Sequence, residues 1–112
     1  MKPKKILFHM GVWLPDTNEA FHASCERVLN FTPAKEMTVC FEDLYVAIHD
    51  VWYDIKRNRL EVTLADEDYD KLSDPCMKLT GWTLKTAMAY FKRNGFKVTV
   101  TRKKKCSTKK SV

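Results

Sequence analysis

Residues 51–65, VWYDIKRNRLEVTLA, alternate between two kinds of side chain on both sides of a polar turn. Val51, Tyr53 and Ile55 fall on one side of an extended chain, with Trp52, Asp54 and Lys56 on the other. After Arg57 and Asn58 the alternation resumes, with Leu60, Val62 and Leu64 on one side and Glu61 and Thr63 opposite. Successive strand side chains point to opposite faces, so period-two alternation around a turn predicts a β-hairpin. Asn58 supplies the left-handed backbone that a tight connection needs. One face of such a hairpin is aliphatic and has to be covered, and the flanking segments must cover it.

Those segments read as a mixture of helices and strands. Ile6, Phe8 and Met10 alternate with Leu7 and His9, both sets largely apolar, which suits a strand near the centre of a sheet ended by Gly11 and Pro15. Residues 16–30 read as a helix: Asp16 and Glu19 imitate a capping box, and Phe21, Cys25, Val28 and Leu29 share one helical face. Residues 36–50 fit two patterns. Met37, Phe41, Leu44 and Ile48 recur at helical spacing, whereas Thr38, Val39, Tyr45 and Val46 favour strands, which we prefer, with a turn at Glu42 and Asp43. A second helix follows over residues 81–94, capped by Thr80 and striped by Leu84, Ala87, Met88 and Phe91; Asn94 and Gly95 stop it. Phe96, Val98 and Val100 alternate in a last strand. The expected fold class is α+β, two helices packed on one face of a mainly antiparallel sheet, compatible with a ferredoxin-like βαββαβ order. That architecture carries many activities and names none.

A chain of 112 residues is one domain by size. Residues 1–101 form the expected α+β domain and residues 102–112 a flexible basic tail. The net charge of +6 belongs to the ends. Arg102, Lys103, Lys104, Lys105, Lys109 and Lys110 with Lys2, Lys4 and Lys5 make nine positive charges, and removing them leaves residues 6–101 at −3. A folded nucleic-acid surface usually carries its positive charge on the folded face. No apolar run approaches the ~18 residues of a membrane span and no signal peptide is read, so the expectation is a cytoplasmic protein with no membrane partner. Cys25, Cys40, Cys76 and Cys106 are dispersed without a C-x-x-C pair, and read as reduced thiols, the first three as small apolar fillers.

No constellation announces catalysis. His9, His22 and His49 sit in different elements, and Gly11, Gly81 and Gly95 are isolated. Asp66, Asp68 and Asp70 begin like a calcium loop, but Lys71 replaces the required Gly and Met77 the bidentate Glu. The reading is therefore non-enzymatic, with no cofactor and no metal. Trp52 has two readings, an exposed anchor beside Asp54 and Lys56 or a covered core residue. As an anchor, Trp52 with Tyr53, Arg57 and Arg59 would form a protein-binding patch, since Trp, Tyr and Arg dominate interface energetics. The expected function is a small non-catalytic protein-binding regulator, of the kind that phages and mobile elements direct at host factors as modulators or inhibitors. The alternative is nucleic-acid binding through residues 102–110 of the tail on phosphates, with Trp52 stacking on a base. Residues 59–66, RLEVTLAD, lack the rings and glycines of an RNA-recognition motif. Residues 96–101 offer a strand edge through which a homodimer could pair.

Overall fold

The computed structural model describes residues 4–66 and 76–102. Its elements are β1 (Lys4–Leu14), β2 (Glu19–Leu29), β3 (Thr38–Cys40), β4 (Tyr45–Asp54), β5 (Arg59–Ala65), β6 (Met77–Lys78), α1 (Leu84–Arg93) and β7 (Lys97–Arg102). Of the described residues, 55% lie in strands and 11% in helix. The α+β expectation of two helices on a sheet is thereby overturned. The described residues are mostly β with a single helix, and they do not show a ferredoxin-like arrangement.

The error lies in residues 16–30. They form a tight turn and then β2, paired antiparallel with β1 along its whole length, from Leu14 opposite Glu19 to Lys4 opposite Leu29. Asn18 adopts a left-handed backbone, φ 56°, as the turn requires. Asp16 does not cap a helix; its carboxylate accepts the Gly81 N–H at 2.6 Å. Phe21, Ala23 and Cys25 are buried while His22, Ser24 and Glu26 face the other way. Phe21 and Cys25 satisfy both a period of four and a period of two, and pairing with an eleven-residue neighbour decides between them.

One sheet holds all seven strands, in the order β3-β4-β5-β1-β2-β7, with β6 beside β1. β1 and β5 run parallel, Ile6 beside Leu60 through His9 beside Thr63. Met77 of β6 takes the place beside Val12 that the β5 register would give Asp66. Since β2 occupies the other flank of β1, β6 resumes the line that β5 began. The hairpin of residues 51–65 forms as its pattern predicts, Val51 opposite Val62 and Trp52 opposite Glu61, with Asn58 at φ 54°. A bulge between Ile48 and Asp50 shifts the register in β4. Residues 36–50 are strands with a turn at Glu42 and Asp43, the preferred reading.

The core lies on one face. Ile6, Phe8, Met10, Val12 and Leu14 of β1 point to it, with Phe21, Ala23, Val46, Ile48, Val62 and Leu64 from its neighbours. The helix covers this face over β2 and β7, seating Ala87 and Phe91, whose ring meets Phe21 edge-on at 5.4 Å. Thr83, not Thr80, is its N-cap, in a reciprocal capping box with Thr86, so the helix begins three residues later than its sequence suggests. Gly95 closes it at φ 91°. Phe41, just after β3, packs against Phe96, just before β7, at 4.8 Å, and against Phe8 at 5.6 Å. The two ends of the strand order thus meet, and the sheet curls around its core.

Asn94 fastens that closure. It is 1% exposed; its Oδ1 accepts the Asp43 N–H at 2.9 Å and its Nδ2 donates to Asp43 Oδ1 at 2.8 Å and to Tyr90 O at 2.9 Å. Arg93 adds an ion pair to Asp43 at 2.8 Å. Among the described residues no helix is long and apolar enough to cross a membrane.

Candidate functional site

Two surfaces present chemistry. The first is the sheet face away from the helix, where Trp52 lies. Trp52 is 40% exposed and meets the His9 ring edge-on at 5.9 Å. His9 also faces His22, ring centres 5.6 Å apart, and its Nε2 lies 3.7 Å from Glu61 Oε1. This Nε2 is buried and has no hydrogen-bond partner among the described residues. Burial lowers the His9 pKa from its ordinary 6.5, and the neighbouring His22 lowers it further, outweighing the attraction of Glu61. His9 is therefore neutral at pH 7, and its approach to Glu61 is not an ion pair there. Ser24 stands opposite His9 across the strand pair, yet no hydrogen bond joins them, so the nucleophile–base contact of covalent catalysis is not formed.

Two cations of this face, Lys5 and Arg59, are matched by its carboxylates. Arg59 reaches Glu61 at 3.4 Å and Glu26 at 3.7 Å, and Lys5 reaches Glu26 at 4.0 Å. The four residues expected to form one protein-binding patch are divided. Trp52 and Arg59 share the helix-free face, two positions along a cross-strand pair from each other. Tyr53, opposite Leu60, belongs to the other face, although the helix does not reach it, and its hydroxyl bonds Asn58 Oδ1. Arg57 lies in the turn and holds Asp54 at 2.9 Å, which lowers the Asp54 pKa through that hydrogen bond.

The second surface is a groove of about 600 Å³ on the core side, where the helix ends. Phe8, Leu29, Phe31, Met37, Val39 and Phe41 give it an apolar lining. One wall is the end of β2, at Arg27 and Leu29, and the other is β3. Phe31 and Met37 are 44% and 36% exposed. The Arg27 guanidinium stands 5.8 Å from the centre of the Phe41 ring and donates to Glu26 O at 3.1 Å and to Asn94 O at 3.5 Å; it makes no ion pair among the described residues, and Glu42 lines the same groove. Cys40 lies on the β3 wall and is exposed, whereas Cys25 is buried and its thiol pushed up to about 11 by that burial. The expectation of three apolar filler cysteines thus holds for Cys25 and fails for Cys40. Sequence reasoning missed this groove. The signal available was Phe31 beside Pro33, an aromatic outside every alternating or helical pattern, with Met37 a few residues on.

Of the tail, Arg102 is described: it ends β7 and donates to Asn18 Oδ1 at 3.1 Å. Lys103, Lys104, Lys105, Lys109 and Lys110 lie outside the described residues, as do Asp68 and Asp70. Asp66 accepts the Lys78 N–H at 3.1 Å. Among the described residues no three His, Cys, Asp or Glu side chains are arranged to hold a metal ion. Comparison with protein-family models, with curated proteins and with solved structures finds no match to this chain.

Proposed function

We propose that this chain is a protein-binding module, a non-catalytic regulator, and that its partner seats in the groove between β2 and β3. The observation that carries this reading is a concave surface lined largely by apolar side chains, with Phe31 and Met37 exposed and Arg27, which makes no ion pair among the described residues, in the same lining. Its volume falls within the ~300–1,000 Å³ of ordinary binding clefts, and an aromatic and an arginine at one rim are the residue types that anchor interfaces. The Trp52 face supports the reading less. Lys5 and Arg59 there are already matched by Glu26 and Glu61, and His9 covers part of the Trp52 ring.

Cys40 gives a direct test, because it is an exposed thiol on the groove wall. In a variant with Cys76→Ser and Cys106→Ser, a photo-crosslinker carried by Cys40 is irradiated in extract of the source cells, with and without nuclease treatment. A protein adduct that disappears in the Met37→Glu variant is expected. An adduct formed equally by Met37→Glu, or formed only from a crosslinker at Trp52→Cys, would move the site to the opposite face, and loss of every adduct after nuclease would favour nucleic acid.

A further inference from the structure

Asn94 ties the turn at Asp43 to the end of the helix, and the residue that follows it is Gly95. Of the asparagines at positions 18, 30, 58 and 94, only Asn94 precedes a glycine. An asparagine amide is attacked by the main-chain nitrogen of the next residue, and a glycine there has no side chain to hinder the approach. The fold nevertheless demands this pair. Gly95 takes φ 91°, which costs any residue with a Cβ, and Asn94 is buried with both ends of its amide in use. Its Oδ1 accepts the Asp43 N–H, and its Nδ2 donates to Asp43 Oδ1 and to Tyr90 O. The attacking atom is held as well, since the Gly95 N–H donates to Lys92 O at 3.0 Å. At ψ 7° the Asn94 main chain also turns the Gly95 nitrogen towards Asn94 N and away from Asn94 Cβ, the side on which ring closure needs it.

We infer that Asn94–Gly95 is a site of spontaneous deamidation that the closed sheet suppresses and an opened one releases. When the turn at Asp43 parts from the helix end, the Gly95 nitrogen bonds to Asn94 Cγ. The Cγ–Nδ2 bond breaks, the amide nitrogen leaves as ammonia with the Gly95 proton, and a cyclic imide remains. Water then adds at Cγ and releases the Gly95 nitrogen to give aspartate, or adds at the main-chain carbonyl carbon of residue 94 to give isoaspartate. Water is the co-reactant, and nothing is oxidised or reduced. Either product replaces the Nδ2 donor by a carboxylate facing that of Asp43. The contact at 2.8 Å turns from attraction to repulsion, and Tyr90 O loses its donor. Isoaspartate also lengthens the main chain at the helix end. The closure therefore opens reversibly while the amide is intact and is weakened for good once it is lost. Asn94 lines the groove between β2 and β3, so the same conversion adds a negative charge to that wall, whatever the groove binds.

Incubating the full-length chain in mildly alkaline buffer, beside a synthetic peptide of residues 90–98, YFKRNGFKV, tests this. Proteolytic mapping with mass spectrometry reads aspartate and isoaspartate at position 94. The chain is expected to convert at least about tenfold more slowly than the peptide, the protection that a closed, hydrogen-bonded segment confers. Asp43→Ala, which takes away an acceptor of Nδ2, should speed conversion at least about fivefold over wild type. Leu14→Ala destabilises the fold from a fully buried position on β1. Compared at equal unfolded fraction, set from urea denaturation, it should convert more slowly than Asp43→Ala. Asn94→Asp, which reproduces one product, should raise hydrogen exchange at the Asp43 amide at least about tenfold and leave β1 protected. Conversion of the chain as fast as the peptide would overturn the inference. So would a Leu14→Ala chain that converts as fast as Asp43→Ala, since release would then need global unfolding. Wild-type exchange at Asp43 in Asn94→Asp would show that the modification leaves the closure intact, and would overturn its role in opening the sheet.

Discussion

The two halves of the core face differ in what covers them. Over β2 and β7 the helix fills the space with Ala87 and Phe91, both fully buried. Towards the end of β2 the cover is a three-residue strand and the segment before it, and a groove remains. Length explains the difference. A ten-residue helix is ~15 Å long, whereas an eleven-residue strand runs ~36 Å. One short helix cannot roof such a sheet, so the sheet curls and brings β3 over the rest. Where a helix caps the sheet the chain spends its residues on stability; where the cover is thin, apolar side chains stay within reach of a partner.

This contrast is sharpened most by paired truncations. Phe91→Ala, under the helix, should cost about 3–5 kcal/mol in chemical denaturation, because a buried ring leaves a cavity. Phe31→Ala, at the groove, should change stability by no more than about 0.5 kcal/mol, as exposed positions do. Equal losses would mean that the groove is core and not a surface. Next in size is Asn94→Ala, which removes the buried amide that ties the β3–β4 turn to the helix end; a loss of about 1–3 kcal/mol is expected. Wild-type denaturation midpoints in this variant would show that the Phe41–Phe96 contact closes the sheet unaided.

A smaller effect comes from the helix-free face. The folded His9 pKa lies below its unfolded value of 6.5, chiefly through burial. The unfolded chain therefore binds this proton first on acidification. The His9 contribution is complete above pH 6.5 and is lost as pH falls through that value towards the folded pKa. Thermal melts of wild type and His9→Gln should diverge in slope over that window, the variant being flatter, and parallel slopes would show that His9 is not the group responsible. The smallest change concerns Glu36, which precedes the groove residue Met37 at φ 70°. Glu36→Gly relieves a left-handed conformation costing roughly 1 kcal/mol but loosens the unfolded chain and removes a side chain that is itself engaged, so a net change below about 1 kcal/mol is expected, read as a shift in urea midpoint.

Local pattern was sufficient where alternation had no competitor. The hairpin at Val51 and Val62, the central strand at Ile6 to Met10, the last strand and the helix end at Asn94 and Gly95 all follow from residue order. It was insufficient over residues 16–30, where Phe21 and Cys25 fit two periods and Ala20, Ala23 and Ser24 do nothing to favour a strand. Alternation puts Trp52 on the side of its strand where it lies, but its exposure depends on His9, forty-three positions away in sequence. The groove was less legible still, because Arg27 belongs to β2, Phe31 to the loop after it, and Met37 and Phe41 flank β3 on either side.

By itself the sequence determined the turns at residues 42–43 and 55–58, the alternating strands and the helix stop, since these depend on φ, ψ and side-chain direction within a few residues. Tertiary structure alone decided that residues 19–29 extend, that β5 lies parallel to β1, and that one short helix leaves half a face to β3. Those outcomes depend on which surfaces meet, and burial against a distant partner outweighs the fraction of a kcal/mol per residue by which local propensities differ.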